Sequence, residues 1–105
     1  MAKSCFDMCD MEMKGYLSFM MLWLLSKQAM SGSQLADELA RRRGGPRPNP
    51  GTIYPALKVL RIRRAVIVHV EGRQKVYKLT DYGQQELDRN VQQFCKMFYD
   101  VFAQE

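Results

Sequence analysis

Prolines at positions 46, 48 and 50 restrict the fold of this chain more than any other feature of its sequence. Proline fixes its own φ and disfavours helical geometry at the residue before it, so this run excludes a regular helix or a central strand. Gly44 and Gly45 stand directly before the prolines, and an apolar, helix-like segment lies on each side. The sequence therefore predicts a stiff elbow between two separate helices.

The helix before the elbow is predicted to follow a break at residues 30–33 and to run to about Arg43. Ser31 and Gln34 have the spacing of a capping box, in which the two side chains satisfy free amide groups at the start of a helix. Gly44 is a typical stop, because glycine adopts the left-handed conformation that often ends a helix.

The helix after the elbow has two candidate starts. With Asn49 as the cap, Pro50 takes the first helical position, where a missing N–H costs nothing. Pro55 then lies inside the helix and should bend it. With Thr52 as the cap, Pro55 falls in the first turn instead. In both cases we expect the helix to continue to about Arg63.

Three further elements complete the prediction. Residues 11–27 form an apolar helix, and residues 66–70 and 75–79 form a hairpin of β-branched strands joined by residues 71–74. A last helix starts at Thr80 and Asp81. It carries an apolar stripe with 4-3-4-3 spacing: Leu87, Val91, Phe94, Phe98 and Val101. Two heptads are too few for an independent coiled coil, so the stripe is expected to need the core or a second copy of the chain.

Charge divides the chain into three parts. Residues 41–78 hold eleven Lys and Arg against one acid, Glu71, whereas the segments on both sides are net acidic and the whole chain carries +5. Such a one-sided central block indicates a surface for a polyanion more often than a plain solvated face.

Composition indicates one globular domain in a reducing, cytoplasmic environment. The 105 residues are 47% hydrophobic, and three cysteines without dense spacing argue against a secreted disulfide framework. Asp7, Asp10 and Glu12 interrupt the start, where a signal peptide would be apolar. The most apolar run, residues 16–25, is about half of a bilayer span, so we expect no membrane attachment.

The order helix, helix, helix, hairpin, helix describes a winged helix-turn-helix. We therefore predict an α+β, mostly α fold with a two-stranded β wing and a C-terminal dimerisation helix. Residues 1–10 are assigned to an N-terminal extension, 11–80 to a DNA-binding domain and 81–105 to the dimerisation helix. In this motif the second helix enters the major groove. The elbow would hold that helix at a fixed angle, so little ordering entropy is lost on binding.

Candidate DNA contacts follow from this interpretation. The N-terminal part of the helix after the elbow, residues 52–58, is expected to point into the groove, and the surrounding cations attract phosphates independently of sequence. The predicted contact residues are Arg41, Arg42, Arg47, Asn49, Thr52, Tyr54, Pro55, Lys58, Arg73, Gln74 and Lys75. In a homodimer, the two recognition helices would reach successive major grooves of double-stranded DNA, about 34 Å apart.

Two stretches also carry a family resemblance. "PGTIYPALKVL", residues 50–60, and "GRQKVYKLTDYGQQEL", residues 72–87, resemble the PadR-like family of transcriptional regulators. The resemblance covers residues 12–105, and the single C-terminal helix is similar to the smaller subfamily. It implies a homodimeric repressor that binds a palindromic operator and dimerises through its first and last helices. By this resemblance Thr52, Tyr54 and Pro55 match recognition-helix positions, and Arg73 and Lys75 match wing positions.

One position departs from the family pattern. Members usually have a glycine between the recognition helix and the first strand of the wing, and this chain offers Ala65 there. A left-handed alanine costs about 1 kcal/mol relative to glycine. Either the chain turns differently at this point or it gives up some stability.

Trp23, Phe94 and Phe98 are candidates for a dimer seam that also binds a small hydrophobic effector, because some relatives in the family bind flat aromatic drugs between their subunits. For Trp23, a plain core position is the commoner role. Cys5 and Cys9, close to several methionines, form a weak candidate for a soft-metal or redox site, and an N-terminal extension is the simpler interpretation.

Catalysis finds no support in the sequence. There is no nucleophile–base–acid set, no glycine-rich phosphate loop after a strand and no zinc-ligand spacing. We therefore predict that the chain is not an enzyme and needs no cofactor or metal.

Two other functions stay open. A sequence-neutral nucleic-acid binder would share the basic block but show no preference over competitor DNA. An interaction or sensor module would self-associate without salt-dependent DNA binding.

Overall fold

The structure, a computed structural model, describes residues 17–103. The predicted N-terminal extension, with Cys5 and Cys9, lies outside the described residues. The described part of helix α1 covers residues 17–27. The elements that follow are β1 (Met30–Ser31), α2 (Gly32–Arg43), α3 (Pro50–Ile62), β2 (Val66–Glu71), β3 (Gln74–Leu79) and α4 (Asp81–Phe102). This order confirms the predicted, mostly helical α+β fold class.

The caps of α2 lie where local sequence rules place them. The Gln34 amide donates to the Ser31 hydroxyl oxygen at 3.1 Å, and the Ser31 amide donates to Gln34 Oε1 at 2.9 Å, which confirms the capping box. Gly44 ends the helix with a φ of 70°. That left-handed conformation is nearly free of cost only for glycine.

The start of α3 decides between the two predicted caps. Asn49 is the cap, because its Oδ1 accepts from the Thr52 amide at 3.1 Å, and Pro50 takes the first helical position. Pro55 therefore lies inside the helix and cannot donate a backbone hydrogen bond there. The bend expected at Pro55 stays a prediction.

The sheet has three antiparallel strands in the order β1-β3-β2. Glu71 and Gln74 are the last pair of the β2–β3 ladder, so the turn of the hairpin is only Gly72 and Arg73. Gly72 has a φ of 65°, which suits the first central position of a tight hairpin turn. The hairpin was predicted, but with a turn two residues too long.

Strand β1 was not predicted. Met30 pairs with Tyr77 and Ser31 with Val76, in the segment where we expected an irregular break. The prediction was wrong because two residues are too few to show the period-2 alternation of a strand. Their pairing partners lie more than forty positions further along the chain, beyond any local signal.

The turn after α3 shows how the chain accommodates Ala65 where family members usually have glycine. The left-handed residue is Arg64, with a φ of 65°, and not Ala65. The Ala65 amide donates to the Leu60 carbonyl at 2.9 Å and the Arg64 amide to the Arg61 carbonyl at 3.0 Å, which is the hydrogen-bond pattern of a Schellman motif. The chain therefore turns one residue earlier than expected, at an arginine, and the Ala65 side chain is fully buried.

The core is formed by all four helices together with the inner face of the sheet. Its largest fully buried side chains are Met21, Leu22, Leu35, Ile53, Leu57, Leu60, Val66 and Leu87. Leu87 shows that the first turns of α4 pack into the same core. No helix within residues 17–103 is both long enough and apolar enough to cross a membrane.

Several contacts fasten the start of α4 to the turn after α3, and we call this contact region the α4 junction. The Thr80 amide donates to the Ala65 carbonyl at 3.0 Å, and the Thr80 hydroxyl donates to the Arg64 carbonyl at 2.7 Å. Gly83 comes so close to this turn that a Cβ on it would lie 2.1 Å from the Ala65 carbonyl oxygen. The close approach therefore requires glycine at position 83.

An ion pair between a buried carboxylate and a half-exposed guanidinium belongs to the α4 junction as well. Glu86 on α4 is buried and accepts a hydrogen bond from the guanidinium of Arg63, the residue that caps α3. Because the Glu86 carboxylate is buried, the loss of Arg63 would leave its charge uncompensated away from water. The pair therefore ties the C-terminus of α3 to α4.

The distal half of α4 leaves the core. Phe94 stacks on Phe19 of α1 with 5.8 Å between ring centroids, and Phe98 lies 4.8 Å from Phe94. Beyond these two rings, Met97, Tyr99, Val101 and Phe102 are exposed. The predicted 4-3-4-3 stripe is thus covered at Leu87 and largely uncovered from Phe94 onward.

Candidate nucleic-acid interface

A cleft lies between α3 and β3 on the basic side of the molecule. Tyr54, Lys58 and Arg61 are spaced by four and three residues along α3, so they share one helical stripe. Lys75 and Tyr77 alternate along β3 and face this stripe. Together with Ile62, these residues line an open cleft of about 460 Å³, which we call the α3–β3 cleft.

Tyr54 connects the two helices on either side of the elbow. Its side chain is 46% exposed, and its ring lies so close to Gly32 at the start of α2 that a Cβ there would be 2.6 Å from a ring carbon. The sequence predicted that Tyr54 contacts DNA. In the structure it rests on α2 with part of its ring on the surface, and its contact with DNA stays a prediction.

Tyr77 forms the buried wall of the α3–β3 cleft. Burial raises the pKa of its phenol above the ordinary value, nearby Tyr54 raises it further, and Arg61 partly opposes both effects. Tyr77 therefore keeps its proton at neutral pH and presents a hydrogen-bond donor.

The raised pKa predicts an alkaline loss of stability. In the unfolded chain Tyr77 ionises near pH 10, whereas the folded protein holds the proton to higher pH. Its contribution to stability is therefore present below about pH 10 and is lost as the pH rises through the folded pKa. We expect Tyr77→Phe to flatten the fall in unfolding free energy above pH 10, measured by urea denaturation. Tyr99→Phe, which alters an exposed ring, should leave the slope of unfolding free energy against pH unchanged. Equal slopes in the two variants would contradict the assignment of this alkaline loss of stability to Tyr77.

Two of the predicted phosphate-contacting arginines are held by α2 itself. Arg47 on the elbow lies with its Nε 2.8 Å from Asp37 Oδ1, and its Nη2 donates to the Ser33 hydroxyl oxygen at 2.7 Å. Arg41 pairs with Glu38 at 2.6 Å. The contacts of Arg47 hold the elbow against the helix before it, whereas the Arg41–Glu38 pair lies within α2. Whether either arginine also contacts DNA stays a prediction.

The other predicted contact residues lie at two exposed edges. Thr52, Pro55 and Asn49 are exposed at the start of α3, and the Asn49 oxygen is already used by the helix cap. Arg73 and Gln74 are exposed at the tip of the hairpin. Arg42 is exposed in the last turn of α2 and forms no ion pair with any residue in the range 17–103.

Three residues of the α3–β3 cleft were absent from the predicted contact set: Arg61, Ile62 and Tyr77. Arg61 follows Tyr54 by seven positions, so the helical period alone was enough to include it. Tyr77 follows Lys75 by two positions and therefore shares its face of the strand. The side chain of Ile62 is 70% exposed, and only the structure shows its position beside the cations.

The three residues proposed for an effector seam are only partly brought together. Phe94 and Phe98 form a tilted aromatic pair. Trp23 is half-buried, and Lys27 Nζ lies 4.0 Å from its ring centroid, in a cation–π contact. Among the aromatic contacts between residues 17 and 103, none joins Trp23 to Phe94 or Phe98.

The family model described as the transcriptional regulator PadR-like family matches residues 21–89, well over half of the chain. The chain belongs to the PadR-like family. The matched range runs from α1 through the wing and into α4. Members of this family are transcriptional regulators, which confirms the prediction that the chain is not an enzyme. No curated protein matches this PadR-like regulator at a significant level.

Solved structures share its fold. A PadR-like transcription factor from Bacteroides fragilis has 25% identity and a TM-score of 0.80, over 90% of this chain and 95% of its own. A Thermoplasma acidophilum protein, assigned as a transcriptional regulator, has 28% identity and a TM-score of 0.69, over 89% and 96%. F93 from STIV, a winged-helix DNA-binding protein, has 19% identity and a TM-score of 0.66, over 79% and 89%. The winged-helix architecture of this PadR-like regulator is therefore confirmed.

Proposed function

We propose that this PadR-like regulator acts as a cytoplasmic homodimer that binds a palindromic operator in double-stranded DNA and represses transcription. Helix α3 would enter the major groove, and the wing formed by β2 and β3 would lie along the adjacent backbone. The observation that carries the proposal is the unpaired positive charge on this surface. Lys58, Arg61 and Lys75 have no ion-pair partner among the described residues, although their side chains converge on one cleft.

The apolar stripe of α4 supports the dimer. In a single chain, Phe98, Val101 and Phe102 expose a contiguous apolar surface, and such surfaces usually mark sites of association. A second copy of the same helix is the natural cover, because a heptad-spaced stripe packs against another helix of the same kind. We propose that a small hydrophobic effector binds at the seam between the two copies, with Trp23 as a further candidate contact.

A gel-shift experiment with selected genomic fragments tests the DNA-binding surface. We expect Tyr54→Ala to weaken operator binding roughly 5- to 30-fold while changing non-specific binding little, because it removes about 1–2 kcal/mol of groove contact. Arg73→Ala should weaken binding to all sequences alike and lower the slope of log affinity against log salt by about one unit. Arg89→Ala, on exposed α4, serves as the matched loss of charge and should change neither.

The same experiment separates the alternatives. If unlabelled competitor DNA displaces the operator as well as the operator itself does, the protein is a sequence-neutral binder. If the parent protein self-associates but shows no salt-dependent DNA binding, it is an interaction module. If both variants bind as tightly as the parent, the surface formed by α3 and the wing is wrongly assigned.

A further inference from the structure

The elbow between α2 and α3, residues 44–49, is stiff in its second half but has an unpacked hinge at its start. Its prolines restrict the backbone, whereas Gly44 and Gly45 come before them, and no heavy atom lies within 4 Å of a Cβ placed on either glycine. The two glycine amides donate to the Ala40 carbonyl, which closes α2. The direction in which the chain then leaves α2 therefore depends on contacts made further along the elbow.

Arg47 makes those contacts. Its Nε lies 2.8 Å from Asp37 Oδ1, and its Nη2 donates to the Ser33 hydroxyl oxygen at 2.7 Å and to the Ser33 carbonyl at 3.2 Å. Ser33 and Asp37 are spaced by four residues, so they lie on one side of α2, in its first half. Arg47 therefore folds the elbow back along α2. Within residues 17–103, every side-chain hydrogen bond or ion pair from the elbow to α2 comes from Arg47.

The start of α3 is placed by this contact. α3 begins at Pro50, three residues after Arg47, and the ring of Tyr54 in its second turn lies against Gly32, the first residue of α2. The Arg47 contacts and the Tyr54 ring thus hold the beginning of α3 beside the beginning of α2. A helix that is already held at its binding angle loses little ordering entropy when it binds DNA.

The same contacts use one of the forks through which Arg47 would bind a phosphate. A guanidinium binds two oxygens at once through a pair of parallel N–H groups. In Arg47, Nε and Nη2 form such a pair, and both already contact α2, while the Asp37 carboxylate offsets the positive charge.

We propose that Arg47 is a positioning residue for DNA binding: it sets the angle of α3 and makes no phosphate contact. It follows that Asp37, although its charge has the same sign as that of DNA, strengthens DNA binding. This inference rests on the proposed function.

Neutralising two neighbouring acids of α2 tests the proposal, because the two possible roles of Asp37 predict opposite signs. We expect Asp37→Asn to weaken operator binding roughly 3- to 10-fold in gel shifts, because the elbow must then be ordered on binding. An acid that only repels phosphates would strengthen binding when it is neutralised. Glu38→Gln is the matched control, since Glu38 pairs with Arg41 within α2 and does not contact the elbow. In this variant the operator affinity should stay equal or rise.

Arg47→Gln should weaken operator binding to a similar extent without changing the slope of log affinity against log salt. The loss of a phosphate contact would instead lower that slope by about 0.9. Because Asp37→Asn and Arg47→Gln break one and the same contact, the double variant should bind within about twofold of either single variant. In the free protein, NMR should show slower exchange of the Arg47 Nε–H with water in the parent and in Glu38→Gln than in Asp37→Asn.

The outcomes separate this inference from the proposed function. If Asp37→Asn binds the operator as tightly as the parent or more tightly, or if Arg47→Gln lowers the salt slope by about 0.9, the positioning role is refuted. Equal exchange rates of the Arg47 Nε–H in the parent and in Asp37→Asn would refute the contact itself. If the exchange rates differ as expected but the parent binds no DNA, the proposed function fails and the role of Arg47 in DNA binding fails with it, whereas the contact between the elbow and α2 stands.

Discussion

Replacement of Gly83 by alanine should lower the unfolding free energy by about 2 kcal/mol and the melting temperature by about 10 °C. The added Cβ would lie 2.1 Å from the Ala65 carbonyl oxygen and 2.7 Å from a Leu79 methyl carbon. A backbone oxygen cannot swing away as a flexible side chain can, so the start of α4 must move. Alanine is a better helix former than glycine by about 1 kcal/mol, but overpacking against a rigid group costs about 3 kcal/mol. The net change in unfolding free energy is therefore a loss of stability.

Urea denaturation followed by far-UV circular dichroism measures this effect, and Gly45→Ala is the matched control. No heavy atom lies within 4 Å of a Cβ placed on Gly45, and its φ is outside the left-handed region. The control should therefore stay within about 0.5 kcal/mol of the parent. A Gly83→Ala protein as stable as the control would show that α4 does not approach the turn after α3 this closely.

Phe98→Glu is expected to convert the proposed dimer to monomers and to abolish high-affinity operator binding. A carboxylate in the middle of the α4 stripe would be buried without a partner, so we expect the dimer dissociation constant to rise roughly 30-fold or more. Operator affinity should fall by roughly 10²- to 10⁴-fold, because the second half-site is bound intramolecularly only when the two subunits are joined. Analytical ultracentrifugation and gel shifts at matched protein concentrations measure the two effects.

Gln92→Glu introduces the same charge on α4 away from the stripe and controls for net charge. It should leave the sedimentation coefficient and the operator affinity unchanged. Circular dichroism must show that the Phe98→Glu monomer keeps its helices, since Leu87 still anchors α4 in the core. If Phe98→Glu stays dimeric, the two copies associate through another surface, and the role proposed for the distal half of α4 is wrong.

Sequence reasoning succeeded where structure depends on neighbours along the chain. The capping box at Ser31 and the stop at Gly44 each depend on a few adjacent residues, and both were predicted; the cap at Asn49 was one of the two candidates that the sequence offered. β1 was missed because its pairing partners are remote in sequence. The sequence left two alternatives open for the turn after α3, and the structure shows that the chain turns differently: the left-handed residue is Arg64, and Ala65 is buried in the core.

The candidate site shows the same limit. Tyr54 and Lys58 were both predicted as contacts, because they lie in the N-terminal part of the helix after the elbow, and Tyr54 also matches a family position. Their meeting with Lys75 and Tyr77 across a cleft depends on how the hairpin folds back, which no local pattern encodes. The partners of Arg47 were likewise invisible in the sequence. The structure shows that its guanidinium holds the elbow to α2 rather than standing free.

The α4 junction has a mechanical consequence for the proposed dimer. Because Gly83, Thr80 and Glu86 clamp the base of α4 to the turn after α3, the 22-residue α4 would act as an arm roughly 33 Å long with α3 fixed at its near end. In the proposed dimer, a small change in the crossing angle of the two α4 helices would therefore move the two copies of α3 apart or closer together. The half-site spacing that the dimer fits and the packing of its two subunits would then both depend on that angle.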